Sequence, residues 1–415
     1  VKKIKIQNKN FDIIEDHFYL RIFNKWLQIN YYFEPTLIIK SIKNLTKKIN
    51  LKKNIIIDKE NTLIDLDLLN KFDPGDEIEL TYKINNKTFK KKYITEDKKF
   101  ILKNFLKSNK INSNHHFIVE NEDNFVIKKG TWIIKEPLFF NSKNLVIEPG
   151  TILKFAKNSS LTVVNGDLIC LGTKKENIIF RNFGNIYWSG IKIVNSNNTL
   201  IKNTKFLNIS NFNNSISNLT GGLNFYKSNV LIENSFFENS IAEDFINFVS
   251  TNFQFINSKI TNSASDAIDS DFSEGIINNS VFLIVKGDAI DTSFSKVTAN
   301  NNILKNISDK AFSIGERSSV DINNNKIEQA KIGIAVKDSS KVTGNLNSIK
   351  NSLFADITTY NKKKKFSHSS TNIKLKEKYD DLVLKKTSGN VLIVNDIVVR
   401  NKYDNTLLNS QIYGF

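Results

Sequence analysis

The sequence predicts an all-β fold: a right-handed parallel β-helix of about 22 residues per coil, preceded by a small mixed or mostly β domain. Three observations predict it. From about residue 123, short β-type runs recur, separated by Asn, Ser, Gly and Asp. A motif of Asn, then Ser, Thr or Asn, then any residue and a large apolar one returns at a near-constant interval. The acidic stretch Ser265-Asp266-Ala267-Ile268-Asp269-Ser270-Asp271 is echoed 22 residues later by Gly287-Asp288-Ala289-Ile290-Asp291-Thr292-Ser293.

Residues 1–122 show no such repeat and read as an accessory domain. Glu77 to Ile84 alternates after Pro74-Gly75 and is followed by Asn85-Asn86, which predicts a hairpin. Leu37 to Leu51 carries apolar residues at helix-like spacing. The domain ends near the polar stretch Ser108 to Asn114.

Residues 123–360 are the expected β-helix. The Asn motif starts at Asn203, Asn234, Asn257, Asn279, Asn301 and Asn324, with intervals of 23, 22, 22 and 23 from Asn234 onward. The longer first interval holds an inserted loop, Asn211 to Gly222, in which Gly221-Gly222 reads as a turn. Three short strands and their turns fit one such period. Asn suits the corner because it tolerates left-handed turns and its amide can bond the amide one coil along. The apolar column Phe237, Ile260, Phe282, Leu304, Ile327 is the expected interior stack. Roughly ten coils at about 4.8 Å give a rod on the order of 50 Å long. Residues 361–415 open with Lys362-Lys363-Lys364-Lys365, a solvated exit, and then supply strands expected to cap the last coil.

Composition narrows the function. Hydrophobic residues at 40% and aromatics at 11% supply a packed interior. The net charge of +17 is nearly all Lys in a chain rich in Lys, Asn and Ile, with no nucleic-acid recognition motif, so specific nucleic-acid binding is not expected. Weak attraction to acidic polymers follows from charge alone. Cys170 lies in an apolar run and reads as a buried thiol. No run reaches about 18 apolar residues, so no membrane span is expected. The basic start lacks an apolar signal region, and methionine is absent even at position 1, as with an alternative start codon or in a processed or truncated piece. His17, His115, His116 and His368 all lie outside the 203–345 repeats, which argues against a His-based triad or a His-ligated metal there.

Stacking by arithmetic produces acidic columns. Asp244, Asp266, Asp288 and Lys310 form one, Asn247, Asp269, Asp291, Ser313 and Ala335 a second, and Val249, Asp271, Ser293, Gly315 and Lys337 a third. With Ile268 inward, Asp269, Asp271 and Asp291 face outward. Asp266 and Asp288 sit in the turn before the strand, where an Asp caps backbone amides. Two carboxylates about 4.8 Å apart at an effective dielectric near 20 repel by roughly 3 to 4 kcal/mol. A cation, a Lys partner or a shared proton must compensate. Lys310, Lys337, Glu316, Arg317 and Asp338 are the neighbouring charges. Adjacent-coil and two-coil carboxylate separations, near 5 Å and about 9 to 10 Å, both approach ranges used by glycosidases.

Several stretches carry a resemblance. Glu148-Pro149-Gly150-Thr151-Ile152-Leu153-Lys154-Phe155, Val164-Asn165-Gly166, Leu171-Gly172-Thr173 and Trp188-Ser189-Gly190-Ile191 lead into the DAID, DKAFSIGE and IGIAVKDSSKV stretches. Over about 235 residues the chain resembles pectin-lyase-like right-handed β-helix repeat proteins. It is most similar to bacterial β-helix domains found alone or beside spore-coat-protein-H-type kinase-like domains. Such folds host lyases, glycosidases, epimerases and pure binding or structural proteins, so enzyme status stays open. The resemblance implies a polysaccharide or cell-envelope glycan as partner and a secreted or envelope location. It implies calcium on Asp269, Asp271 and Asp291, and it makes Asp269, Asp291, Lys310 and Lys337 catalytic candidates, with a lysine as base. Asp244, Asp266, Asp271, Asp288, Glu316, Arg317 and Asp338 are then binding candidates. A dense Arg cluster, usual for uronate substrates, does not accompany them. The alternative is a non-catalytic surface repeat protein, with Trp188, Phe225 and Tyr226 as conceivable stacking surfaces or, as interior residues, part of the coil's core.

Overall fold

The structure is a computed structural model of the chain. It describes residues 115–213, 219–363 and 366–400 in full and 38–48, 76–83 and 88–92 with their side chains; elsewhere within 2–97 it gives strands by their backbone. Two compact units, Val1–Ser108 and Asn109–Phe415, divide the chain.

The first unit is a nine-stranded sheet in which Leu37–Asn44, Glu77–Ile84 and Lys87–Asp97 are adjacent antiparallel strands. The strands expected to flank the hairpin, Glu77–Ile84 and Lys87–Asp97, pair antiparallel; Asn85-Asn86 themselves lie outside the described residues. Alternation buries Ile78, Leu80 and Tyr82. The helix-like spacing after Leu37 belongs to a strand instead. A register shift between Ile39 and Ser41 inserts a bulge, so that Ile39 and Ile42, three residues apart, are both buried.

The second unit is a parallel β-solenoid of about eleven turns; through most of its 32 strands each pairs with the third strand along, and near the C-terminal end two long strands each span two positions of a turn. Three strands therefore make one turn, as the 22-residue interval requires. The register reproduces the stacked columns: Asn247, Asp269, Asp291, Ser313 and Ala335 are successive partners. The interior column Phe237, Ile260, Phe282, Leu304, Ile327 is buried throughout. Toward the N-terminus it continues as stacked rings, Phe206 to Phe237 at 5.1 Å and Phe180 to Phe206 at 4.8 Å. Trp188 and Phe225 are buried in this core, and so is Cys170.

The corners explain the Asn spacing. Asn203, Asn234, Asn257, Asn279, Asn301 and Asn324 all have φ between 45° and 57°. The Asn324 amide donates to Asn301 at 2.8 Å. Just inside these corners runs a buried ladder: the Oγ of Ser258 and Ser280, then the Oδ1 of Asn302, Asn325 and Asn347, each accept the backbone N–H one rung back. Each such bond removes an unpaired buried donor and contributes about 1 kcal/mol. Gly221-Gly222 opens the strand Gly221–Tyr226 rather than forming a turn. Glycine is needed at 190, where φ is +70° and a Cβ would lie 2.1 Å from the Gly222 carbonyl oxygen.

Both ends of the stack carry an antiparallel strand. Ile118–Glu120 pairs with Asn124–Ile127, and Ile397–Val398 with Val391–Val394. After residue 360, Ser370–Leu375, Leu384–Lys386 and Val391–Val394 add parallel rungs to the same stack. Among the described residues no helix is long and apolar enough to cross a membrane.

Candidate functional site

The acidic columns lie on one outer face, built by Asp244–Val249, Asp266–Asp271, Ile290–Ser293, the end of Ile303–Gly315 and the end of Lys326–Lys337. On each strand the apolar member, such as Ile246, Ile268, Ile290, Phe312 or Ile334, points into the core. The polar residue after it then points outward. This face is only partly solvated. Asp269, Asp271 and Asp291 are half-buried, while Asp244 and Asp288 are 5% and 6% exposed.

The turn aspartates cap as expected. Asp266 Oδ1 accepts the Asp288 backbone N–H at 2.7 Å, and Asp288 Oδ1 accepts that of Lys310 at 2.9 Å. One carboxylate thus ties each rung to the next. The same chain of caps brings the side chains together. Oxygens of Asp266, Asp288 and Asp291 all lie within 4.8 Å of one another. Of the trio expected to hold a metal, only Asp291 belongs to this group. The reason is register: the strand holds Asp269 and Asp271 further along its axis, whereas Asp266 and Asp288, just before Ala267 and Ala289, reach forward to the following rung.

Two buried lysines compensate the charge. Lys310 Nζ lies 3.3 Å from Asp288 Oδ1 and 2.5 Å from Asp309 Oδ2. Lys337 Nζ donates to Ser313 Oγ at 2.7 Å and stands 3.9 Å from Asp291 Oδ1. Lys310 and Lys337 are 4% and 5% exposed. Glu316 accepts from Ser293 Oγ at 2.7 Å and pairs with Lys363 at 2.5 Å. Asn247 donates to Asp244 at 3.1 Å and to Asp269 at 3.0 Å.

Titration follows this layout. Burial, reinforced by the neighbouring Asp288 and Asp291, pushes the Asp266 carboxyl up to about 8. Burial and Asp291 bring Asp271 to about 7. Burial raises Asp269 well above the usual range and also raises Asp244 and Asp291. Asp288 moves the other way: although burial opposes its charge, Lys310 and Lys337 hold it below the ordinary value. Glu316, likewise buried, is held down by Lys337 and Lys363. Lys337 is raised despite burial, by Asp291 and its neighbours. Adjacent carboxyls are therefore divided into protonated and ionised at neutral pH.

Arg317 and Asp338 stand at the corner beyond the third column, both with positive φ, and the Arg317 N–H donates to the Asp338 carbonyl. Asp338 Oδ1 accepts the Lys363 N–H at 2.8 Å. Lys363, expected in a solvated exit, thus turns back onto Glu316. Asp309 and Tyr360 join the site without an expectation from the sequence. Tyr360 is the register partner of Lys337 and could have been found by carrying the third column one interval further.

An oxygen-only donor set suits a hard cation. Ligands on opposite sides of calcium, each at about 2.4 Å, would be separated by about 4.8 Å. Asp266, Asp288 and Asp291 could hold such an ion, with Lys310 and Lys337 competing for the last two.

No family model matches the chain, and no curated protein matches it. Solved structures do. A mutant of the periplasmic alginate epimerase AlgG is 10% identical with a TM-score of 0.40, over 62% of this chain and 73% of that one. The Dettilon tailspike protein is 10% identical with a TM-score of 0.37, over 64% of this chain and 58% of that one. A mutant of the catalytic domain of a GH87 α-1,3-glucanase in complex with nigerose is 12% identical with a TM-score of 0.37, over 93% of this chain and 80% of that one. At these identities and TM-scores the likeness does not reach the level of the site.

Proposed function

We propose that the acidic and lysine-rich seam binds and processes a polysaccharide of the cell envelope or exterior, by acid–base chemistry on a glycosidic bond. One observation carries this reading: carboxylates from successive rungs, Asp266, Asp288 and Asp291, converge within 4.8 Å on a partly open face, beside two buried lysines. A solvated structural face has no need of buried charges, whose desolvation costs several kcal/mol each. Glycoside chemistry needs one carboxyl that keeps its proton and another that is ionised. Asp266 fits the first role and Asp288 the second, with Asp291 completing the group. Lys310 and Lys337 together keep Asp288 ionised.

The close triad also favours a second reading, in which calcium replaces the proton and the seam acts by β-elimination or epimerisation of a uronate. Here the ion would supply charge stabilisation and, by taking the carboxylates that hold Lys310 and Lys337 protonated, would free a lysine to accept the α-proton.

The test is incubation with a panel of neutral and uronate polysaccharides. Release of reducing ends without ultraviolet-absorbing product, lost in both Asp266→Asn and Asp291→Asn, supports hydrolysis. Calcium-dependent ultraviolet-absorbing product supports the second reading. Binding without turnover, unchanged in both variants, overturns both in favour of a non-catalytic surface protein.

A further inference from the structure

A second face carries a groove that the seam does not use. It lies on the ladder formed by the strand that follows each seam strand, and its volume is about 570 Å³. Leu200, Leu231, Gln254, Ile276 and Thr298 are successive register partners and form its outward floor. Five rungs span four steps, about 19 Å, the length of a few sugar residues. Asn229, Asn252, Glu274 and Lys296 are successive partners along one side. Glu274 and Lys296 are adjacent and opposite, so they offset one another. The rest of the lining is uncharged.

We infer that this groove is a binding site for a neutral, extended glycan chain, separate from the acidic seam. Three features select that ligand. Side-chain amides and a hydroxyl at Asn229, Asn252, Gln254 and Thr298 match sugar hydroxyls, which both donate and accept. Leu200, Leu231 and the 38% exposed Ile276 offer apolar surface to the C–H faces of sugar rings. The balanced charge disfavours a polyanion. An extended peptide is a poorer fit, because strand recognition draws on open main-chain donors. Here the strands below the groove spend those donors in the parallel ladder. The choice of ligand class rests on the polysaccharide reading of the seam, but the site itself does not.

The test is affinity electrophoresis in gels containing hydroxyethyl cellulose, laminarin or glycogen, with polygalacturonate as the charged control. The expected result is retardation by at least one neutral polymer, equal in the wild type and in the seam variant Asp291→Asn. Ile276→Glu and Leu231→Asp, both replacing apolar groove floor with charge, each weaken it by about tenfold or more, roughly 1.4 kcal/mol. Melting curves of both variants match the wild type. Retardation by none of the neutral polymers, retardation by polygalacturonate alone, or retardation that survives both groove variants overturns the inference. Loss in Asp291→Asn alone also overturns it and assigns the binding to the seam. Loss of turnover in Asp291→Asn with groove binding intact separates the two sites.

Discussion

Lys337 reaches the acidic seam by crossing Gly315: a Cβ added there would sit 2.8 Å from Lys337 Cε. The missing side chain opens a track along the outer face, and the ammonium uses it to meet Ser313 and Asp291. Glycine at 315 thus leaves the lysine's path open. Gly315→Val should close the track and push the ammonium away from Asp291. Expected is a lower melting temperature at pH 8, with a much smaller loss at pH 5, where protons replace the missing cation. Thermal melts at the two pH values check this, and equal losses at both would contradict it.

Lys337→Met removes the cation outright. Breaking one partner of a buried ion pair costs on the order of 3 to 5 kcal/mol. The loss should be largest above neutrality. Adding Asp291→Asn to Lys337→Met should recover a substantial part of it, because the orphaned charge is gone. Denaturant titration of the four proteins of that cycle measures the coupling. Additive losses would mean that Lys337 acts only by packing.

The wild type should lose stability as pH rises from about 4 to 8. Asp266 and Asp271 have folded-state values of about 8 and about 7, above those of the unfolded chain. The folded state then binds more protons across that window, so its advantage is complete below the unfolded value and is lost as pH passes the folded value. Asp288 and Glu316, held low by lysines, act in the opposite sense and lose their contribution only in acid. The optimum should fall on the acid side of neutrality. Asp266→Asn should flatten the decline by roughly 2 to 4 kcal/mol, after discounting for its partial exposure. A variant with the wild-type slope would show that Asp266 ionises normally.

Much of this was legible in the sequence, for one reason. In a solenoid, sequence interval is spatial register, so subtraction placed Asp269 over Asp291 and Lys337 in the Asp271 column. Side-chain reach is not set by interval. Asp266 and Asp288 were read as caps, which they are, yet their side chains also lean toward Asp291 and complete the carboxylate group. Lys363 was read as solvated because its neighbours are all lysine, and only the fold shows it turning back to Glu316. The bulge at Ile39 to Ser41 mimicked a helical period for a similar reason: one extra residue changes which side chains share a face.

The interior ladder gives a test of the fold apart from the seam. Asn302 is 1% exposed, accepts the Ser280 N–H at 2.9 Å and donates to the Ile277 carbonyl at 2.8 Å. Asn302→Leu keeps similar volume but leaves buried donors and acceptors on two neighbouring rungs without partners. Each costs about 1 to 3 kcal/mol. Asn324, at the outer corner with φ of 53°, holds its place through backbone geometry, so Asn324→Gly should change stability little. Urea titration should show Asn302→Leu losing several kcal/mol and Asn324→Gly less than about 1 kcal/mol. The opposite order would mean that the outer amides, not the inner ladder, hold successive rungs in register.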